Sequence, residues 1–541
     1  MKVIIPSAKI VPIELQNLGK LPAVIYPVNQ RIVFDYLREE YKDAEYTIVC
    51  YENAKKVHRR LSQYRNIKII DLDRLGDLGY SIYCGISGMR GEGIINYADT
   101  IVMDDMISSQ GDAFFYTVDE LSDTWTFFEE TGGVIRSITD KKENCEERRG
   151  RLFVGVFRFA HLEYLAWCLE RAFEDQPTEM NTFYYAFMLY SQKYPVLPVK
   201  TDHWFDIGHA DKYYNSQLEV RARAFNYIKI DKDRGILTKT SDNVDKFIGE
   251  IKWYLKLPND VEYVRPRIFD YSLNYTSAYV SMEYYAYHTI HELFLYGDIT
   301  KNQWTDIFRR IRFVCADFKR YSLKDSKIRE SLEDMYLHKT IDRIKSLENE
   351  NAFHAFFSKE IIINSKKFYP LNRIIDILNE SVPDLLYDIV QFCIIHGDLC
   401  FSNIMVDNNF SFVKVIDPRG KFGVFDIYGD QRYELAKLMH SIDGKYDFII
   451  KDLFELKYDA GNQSISYRIN DRERLFDLYE IFLSVFKNEI GSDLRKIELI
   501  EALLFLSMIP LHTERFERQL AMLATGLEIL NRVEPITVSG R

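Results

Sequence analysis

The sequence predicts two domains of different fold class: an α/β domain with a mostly parallel sheet over residues 1–225, and an α+β domain of two lobes over residues 226–541. Three observations favour this division. Apolar strands alternate with helices in the first hundred residues, which is typical of a parallel sheet covered by helices. From residue 226 the order changes to strand, strand, helix, strand, strand, followed by long helical segments. A chain of 541 residues is also too long for one ordinary core.

Composition and charge narrow the classes of function. The chain is 47% hydrophobic and 28% charged, as expected of a soluble globular protein. Its net charge of −11 argues against a nucleic-acid partner, which normally requires a basic face. No signal peptide and no run of 18 apolar residues is present, so no membrane span is expected. The seven cysteines form no Cys-x-x-Cys pair, which favours a reducing cytoplasm over a zinc site or a disulfide framework.

The first domain opens with predicted strands at 1–8, 46–51, 67–71 and 100–103, with a helix at 53–65 between two of them, and a later strand at 152–159 precedes a helix at about 161–174. The glycines between 85 and 93 fit an ordinary loop, because they match neither phosphate-binding glycine motif. Asp104 and Asp105 end the strand at 100–103. Ligands collect at the carboxyl ends of strands in such sheets, so this Asp pair is a candidate metal site.

Residues 204–214, Trp-Phe-Asp-Ile-Gly-His-Ala-Asp-Lys-Tyr-Tyr, resemble the Trp-x-Asp-Ile-Gly-x-x-x-x-Tyr element of sugar-nucleotidyltransferases. Met103-Asp104-Asp105 resembles the metal-binding Asp turn of that family, and residues 22–28 resemble its Pro-Lys-x-x-x-Pro-Val signature. The resemblance covers roughly residues 1–225. It implies Asp104 and Asp206 as metal ligands and a nucleotide substrate such as CTP, UTP, GTP or dTTP.

The first domain departs from this family at two points. Pro6-Ser7-Ala8-Lys9 stands where the family has its Gly-x-Gly-x-Arg phosphate loop, and Ala23 stands where it has the signature Lys. The loss of such a cation costs orders of magnitude in rate. Two interpretations therefore stay open: an atypical nucleotidyltransferase, or a domain that keeps the fold without the chemistry. Asp206 fits a helix N-cap or a turn as well as it fits a metal site.

In the second domain, a hairpin from 225 to 241 is followed by a helix at 242–257 and strand-like segments at 261–271 and 278–285. This is the small-lobe order of the protein-kinase-like fold, which predicts a small lobe at 226–287 and a large lobe at 288–541. An ion pair of Lys239 with Glu250 would orient the lysine onto the α- and β-phosphates of ATP. The alternative is a surface Lys and a solvent-facing Glu, and the downstream motif favours the pair. Met282, Glu283 and Tyr284 would form the strand whose backbone binds adenine.

The segment 394–420 provides the strongest indication of function. His396-Gly397-Asp398-Leu-x-x-x-Asn403 resembles the His-Gly-Asp-x-x-x-x-Asn motif of the aminoglycoside phosphotransferase and choline kinase superfamily, and 412–417 resembles its second metal motif. The resemblance extends over 226–541 and implies ATP and Mg²⁺ as cofactors. It implies that Asp398 deprotonates the acceptor hydroxyl and that Asn403 and Asp417 bind Mg²⁺. His396 is expected to support the loop.

Arg419 and Asp430 lie near this segment, and each could have more than one role. Arg419 follows the second metal motif, where it would contact a phosphate or an anionic acceptor, or else pair with a nearby carboxylate as part of the structure. Asp430 lies in a segment that resembles the Asp-x-x-x-Asp-Leu-Ala helix of the same family. We expect Asp430 to brace the catalytic loop rather than to act in catalysis.

These features favour an ATP-dependent kinase for a hydroxyl group on a small molecule such as a sugar, a polyol or an amino alcohol. Choline is disfavoured because all five tryptophans precede residue 394, whereas a quaternary ammonium needs an aromatic box. The attached domain suggests a pathway of bacterial surface-polysaccharide synthesis. The alternatives are a bifunctional kinase and nucleotidyltransferase, and a catalytically silent nucleotide-binding regulator. The sequence leaves the acceptor and the oligomeric state open.

Overall fold

The computed structural model describes residues 1–28, 31–62, 64–104, 111–120, 124–141, 149–208, 226–231, 233–471 and 476–538. The chain divides into two compact units, Met1–Arg221 with Tyr296–Asp298, and Ala222–Leu295 with Ile299–Arg541. Asp105 and the segment 209–225 lie outside the described residues. Within the described ranges, no helix is both long enough and apolar enough to span a membrane.

In the described part of the first unit, nine strands form one mixed sheet. They are Lys2–Pro6, Glu45–Cys50, Ile67–Asp71, Gly93–Asn96, Ala113–Glu120, Thr126–Thr131, Val134–Asp140, Arg149–Phe159 and Leu197–Lys200. The first four pair in parallel, as the strand–helix alternation predicts. Strand Thr126–Thr131 pairs antiparallel with both Val134–Asp140 and Arg149–Phe159, and only residues 132–133 separate it from Val134–Asp140.

Helices and short ribbons complete the first unit. The helices are Val33–Glu40, Ala54–Leu61, Leu78–Ile86, Leu162–Asp175 and Thr182–Lys193. Two ribbons pair Pro27–Val28 with Arg31–Ile32 and Thr100–Val102 with Trp204–Asp206. A cluster of Phe and Tyr side chains lies in the core of this unit, where the rings of Phe128 and Phe153 stack with centroids 4.5 Å apart. These aromatic side chains therefore serve packing.

The small lobe of the second unit is a four-stranded antiparallel sheet with one helix. The strands are, in sheet order, Asn226–Asp231, Ile236–Ser241, Tyr279–Glu283 and Ile268–Ser272. The helix is Val244–Lys256, and the Asn243 side chain caps it by accepting a hydrogen bond from the Lys246 amide. Apolar residues at helical spacing, among them Phe247, Ile251 and Tyr254, bury one face of the helix.

The large lobe is mainly helical. Its helices are Ile290–Leu295, Lys301–Lys319, Ile328–Leu332, Lys339–Ser346, Leu371–Leu386, Gln431–Ile442, Tyr446–Ile450, Leu478–Val485, Lys487–Ile490, Leu494–Met508 and Phe516–Val533, with a π-helix at Glu333–His338. Its strands are His288–Thr289, Ser322–Leu323, Ile361–Ile363, Lys366–Phe368, Phe392–Ile394, Ile404–Val406, Val413–Val415, Tyr428–Gly429, Phe454–Asp459 and Ser464–Ile469.

Two features of the large lobe differ from the sequence predictions. The sequence pattern predicts two helices at 368–379 and 383–392, whereas the structure has one helix, Leu371–Leu386, which is continuous through Pro383 and buries Leu378 and Val382 on one face. The strands Phe454–Asp459 and Ser464–Ile469, which pair with each other, were not predicted. Strand Ser464–Ile469 also pairs with Ile361–Ile363, about a hundred residues earlier, a contact that no local pattern indicates.

Candidate active site

A short hairpin brings Asn403 and Asp417 together. Strand Ile404–Val406 pairs antiparallel with Val413–Val415, with Ile404 opposite Val415. The Ile416 amide donates to the Asn403 carbonyl oxygen at 3.0 Å, so Asp417 comes one residue after the partner of Asn403. The two predicted magnesium ligands therefore lie at the same end of one hairpin.

Asp398 faces Asn403 across the loop. The Asn403 side-chain amide donates to the Asp398 carbonyl oxygen at 2.9 Å and to Asp398 Oδ2 at 3.2 Å. These bonds orient the NH₂ group towards Asp398 and turn the amide oxygen to the other side, where it can act as a cation ligand. An amide oxygen and a carboxylate are hard oxygen donors, which suit a magnesium ion that also binds nucleotide phosphates.

His396 connects the two metal-motif segments from a buried position. Burial lowers the pKa of His396 to about 4, so the imidazole is neutral. Its Nε2 lies 3.0 Å from the Ile416 carbonyl and donates to it, whereas Nδ1 accepts from the Asp398 amide at 3.3 Å. His396 thus fixes the backbone on both sides of the site.

Glu434 holds the turn before Asp398, although the sequence assigned that role to Asp430. Its two carboxylate oxygens accept the amides of His396 and Gly397, each at 2.8 Å. Burial raises the pKa of Glu434 to about 7, and the two amide donors oppose this rise. Asp430 instead caps helix Gln431–Ile442 and binds Arg432, so it braces the helix rather than the loop.

Lys437 is a residue of the site that the sequence did not indicate. Its Nζ lies 2.8 Å from Asp398 Oδ1, and both partners are largely shielded from solvent. Although burial acts in the opposite direction, the Asp398 carboxylate raises the pKa of Lys437. The one feature that could have indicated this role was a lysine three residues after Glu434, in a helix whose other residues are nearly all buried.

Lys239 joins the small lobe to Asp417. Its Nζ donates to Glu250 Oε1 and Oε2 at 2.8 and 2.9 Å and to Asp417 Oδ1 at 2.7 Å. Lys239 and Glu250 are both buried. Burial lowers the pKa of the lysine, but the Asp417 and Glu250 carboxylates outweigh this effect and raise it overall. The ammonium group therefore stays charged beside the predicted metal ligand.

Asp417 has an unusual backbone conformation. Its φ is +56°, a left-handed value that costs a residue with a side chain roughly 1–2 kcal/mol. The Asp417 amide donates to the Tyr254 hydroxyl at 3.1 Å, and its carboxylate binds Lys239. Strained residues of this kind cluster at functional sites, where surrounding contacts hold them.

Two glycines set the spacing between helix Val244–Lys256 and the loop after Asp417. Gly420 has φ +65°, and a Cβ at this position would lie 2.2 Å from the backbone of Gly249. Backbone atoms cannot rotate away as a side chain can, so only glycine fits. The close contact fixes the next residue of the helix, Glu250, next to the Asp417 loop.

We expect Gly420→Ala to destabilise the second unit by about 2–5 kcal/mol, the sum of a left-handed backbone cost and an overpacking cost. The matched control is Gly235→Ala, because Gly235 has φ +63° but no atom within 4 Å of the added Cβ. It should lose only the backbone cost of roughly 1–2 kcal/mol. Urea unfolding and hydrogen exchange of residues 244–256 measure both, and equal losses would contradict this account of the contact.

Part of the backbone of the predicted adenine-binding segment is already hydrogen-bonded within the sheet. Met282 is buried in strand Tyr279–Glu283, opposite Leu237 and Ile268. The amide of Glu283 donates to the Arg267 carbonyl and that of Tyr284 to the Gly235 carbonyl, each at 2.8 Å. These two amides are therefore used within the sheet, and adenine binding by the other backbone groups of Met282, Glu283 and Tyr284 stays a prediction.

Arg419 is held by neutral groups. Its amide donates to the His396 carbonyl at 3.0 Å, and its Nη1 donates to the Tyr433 hydroxyl at 2.9 Å. Its stem passes over Gly397, where a Cβ would lie 2.9 Å from Arg419 Cβ. The sequence left two roles open for Arg419: contact with a phosphate or an anionic acceptor, and pairing with a nearby carboxylate. No carboxylate is found among its described contacts.

The first unit does not bring Asp104 and Asp206 together. In the ribbon that carries them, Val102 lies opposite Trp204 and Thr100 opposite Asp206. Asp104 follows one end and Asp206 lies at the other, four residue steps or roughly 13 Å apart along the strand. Asp206 Oδ1 accepts the Gly208 amide at 2.7 Å, which is a turn contact.

Asp104 is engaged by its neighbours. It accepts a hydrogen bond from the Thr201 hydroxyl and lies 3.1 Å from His203 Nδ1, and these contacts lower its pKa. Ala23, at the position of the signature lysine, is buried. Among the residues that the structure describes, no three His, Cys, Asp or Glu side chains gather in a way that could hold a metal ion.

No protein-family model matches the chain, and no curated protein matches it. Two groups of solved structures are similar to it. CTP:phosphocholine cytidylyltransferase from Streptococcus pneumoniae has 16% identity and a TM-score of 0.34, with 40% of this chain and 97% of that chain covered. The streptomycin–ATP complex of aminoglycoside phosphotransferase APH(2")-IIa has 14% identity and a TM-score of 0.35, with 58% and 90% covered.

A thermostable mutant of aminoglycoside phosphotransferase APH(4)-Ia, in a ternary complex with AMP-PNP and hygromycin B, has 10% identity and a TM-score of 0.38, with 58% of this chain and 92% of that chain covered. At these values the resemblance says nothing about substrates. The structures in these two groups come from the nucleotidyltransferases and the aminoglycoside phosphotransferases.

Proposed function

We propose that the second unit transfers the γ-phosphoryl group of Mg-ATP to a hydroxyl group of a small molecule. The observation that supports this most directly is the Lys239–Asp417 contact of 2.7 Å, which joins the phosphate-orienting lysine to a predicted metal ligand from a distant part of the chain. Phosphoryl transfer depends on such positioning and on charge stabilisation.

Each group has a distinct role in this proposal. Asp398 orients the acceptor hydroxyl and accepts its proton. Asn403 and Asp417 hold a magnesium ion, which neutralises phosphate charge when it is bound. Lys239, kept in place by Glu250, donates to the nucleotide phosphates. The acceptor oxygen forms a bond to the γ-phosphorus, the bond from that phosphorus to the bridging oxygen breaks, and ADP leaves.

A broader setting follows from the two units together. A kinase joined to a nucleotidyltransferase-like unit suits a route in which an alcohol or sugar is phosphorylated and then linked to a nucleotide, as in bacterial surface-polysaccharide synthesis. ATP supply and the free thiols of the described cysteines favour a cytoplasmic location. The separation of Asp104 from Asp206 counts against nucleotidyl transfer by the first unit itself.

Coupled assays of ADP release with sugars, polyols, sugar acids and amino alcohols test the kinase. We expect Mg²⁺-dependent ADP release that requires one of these acceptors. Binding of Mg-AMP-PNP by calorimetry, with no acceptor phosphorylated, would instead favour the silent regulator, and no binding would contradict the proposal. Pyrophosphate release from CTP, UTP, GTP or dTTP tests the bifunctional alternative.

A further inference from the structure

Four basic side chains lie on one side of Asp398, and we call them the basic cluster: Lys339, Arg343, Arg419 and Lys437. Lys339 and Arg343 are one turn apart on helix Lys339–Ser346 and so share a face. Lys437 comes from helix Gln431–Ile442, and Arg419 from the loop after Asp417.

Direct contacts hold these segments against one another. Arg419 donates to the Tyr433 hydroxyl, and Tyr433 is one helical turn before Lys437. The Tyr336 hydroxyl, three residues before Lys339, donates to Asp430 at 2.9 Å. The rings of Tyr336 and Tyr433 have centroids 6.3 Å apart. The segment that leads into Lys339 therefore packs on the same helix as Lys437.

Within the part of the chain that the structure describes, the basic cluster has fewer negatively charged partners than it has basic side chains. Lys437 pairs with the Asp398 carboxylate, but Arg343 donates to the neutral Ser507 carbonyl at 3.1 Å. Among the described residues, the Lys339 ammonium makes no hydrogen bond and no ion pair. Burial, followed by the charges of Arg419, Arg343 and Lys437, holds the pKa of Lys339 well below its usual value. Holding Arg343, Arg419 and Lys437 beside Lys339 is unfavourable without an anion, and an anion bound among them would favour the charged form of Lys339.

The two oxygens of Asp398 divide the site. Oδ2 faces Asn403 and the metal motif, whereas Oδ1 faces Lys437. On the proposed function, the nucleotide and metal would lie on the Oδ2 side, and the acceptor would reach Asp398 from the side of Lys437. An anion bound by the basic cluster would belong to the acceptor rather than to ATP.

We propose that the acceptor is an alcohol that also carries a phosphate or a carboxylate group, and that the basic cluster binds this anionic group while the hydroxyl meets Asp398. The inference rests on the proposed function of the second unit. Arginine forks and lysine point charges are the groups that recognise phosphate and carboxylate. Amino alcohols and aminoglycosides would be repelled, because like charges brought together oppose binding.

The first test is binding, which does not depend on turnover. Calorimetry on the full chain saturated with Mg-AMP-PNP would compare inorganic phosphate, glycerol 3-phosphate, glycerate and glycerol. We expect the anions to bind, glycerol not to bind, and Lys339→Met to weaken anion binding at least 10-fold. The control is Lys345→Met, an exposed lysine of the same helix, which should bind as the wild type does. Failure of every anion to bind, or unchanged binding by Lys339→Met, would overturn the proposal.

The second test separates this inference from the kinase proposal. Acceptor specificity would be measured as kcat/KM over matched neutral, anionic and amino alcohols. We expect anionic alcohols to exceed neutral ones by at least 10-fold, with Lys339→Met raising KM for the acceptor and leaving KM for ATP unchanged. Equal use of neutral or amino alcohols would overturn the inference but keep the kinase. Anion binding that requires Lys339 without any phosphorylation would support the anion site and count against the kinase.

Discussion

Replacement of Asp398 by Asn will lower kcat by about 10²–10⁴-fold, the usual contribution of a positioned general base. Asparagine keeps the size of the side chain and can still face Asn403, but it cannot accept the proton of the acceptor hydroxyl. Mg-ATP binding should persist, because Lys239, Asn403 and Asp417 are unchanged. Steady-state ADP release and calorimetry with Mg-AMP-PNP measure the two effects separately.

The matched control for this variant is Asp376→Asn. Asp376 is exposed on helix Leu371–Leu386 and lies 3.8 Å from Arg373, so its loss should leave activity unchanged. Urea unfolding of both variants measures how much stability is lost with the Lys437 ion pair. It therefore shows whether lower activity comes from that destabilisation rather than from loss of the base. Wild-type turnover by a folded Asp398→Asn protein would show that Asp398 does not have the role assigned here.

Lys239→Met will lower kcat/KM for ATP by about 10²–10³-fold, which is typical of losing one donor to developing negative charge. It will also destabilise the second unit by about 3–5 kcal/mol, because Glu250 is then left buried without its cation. ATP kinetics and urea unfolding measure the two losses.

A double variant separates stability from catalysis at this position. Lys239→Met with Glu250→Gln removes both charges of the buried pair, so it should recover much of the stability but none of the activity. The control is Lys252→Met, an exposed lysine on the same helix, which should match the wild type in both measurements. Recovery of ATP turnover in the double variant would mean that Lys239 has only a structural role.

Local sequence was enough to place Asp398, Asn403 and Asp417, because one loop and the short hairpin that follows it bring them together, and their spacing determines their positions. The strand and helix pattern of the small lobe likewise indicated that Lys239 and Glu250 could meet. The roles of these residues stay predictions until they are tested.

Residues from distant segments could not be predicted in this way. Glu434 and Lys437 reach the loop only because helix Gln431–Ile442 packs behind it, and Lys339 comes from about 60 residues upstream of Asp398. In the first unit, motif resemblance suggested a shared metal site for Asp104 and Asp206. The antiparallel register of their ribbon separates them, a constraint that motif spacing does not contain.

The contact between Gly249 and Gly420 has a consequence for control of the enzyme. In protein kinases, movement of the helix that bears the glutamate can break the Lys–Glu pair and switch activity off. Here the helix is tied to the loop at three points. These are the glycine contact, the Tyr254 hydroxyl, which accepts the Asp417 amide at 3.1 Å, and Trp253 Nε1, which donates to the Ile395 carbonyl at 2.7 Å. We therefore expect a phosphate-binding lysine that is permanently assembled, so that the supply of acceptor, rather than rotation of this helix, determines when the second unit acts.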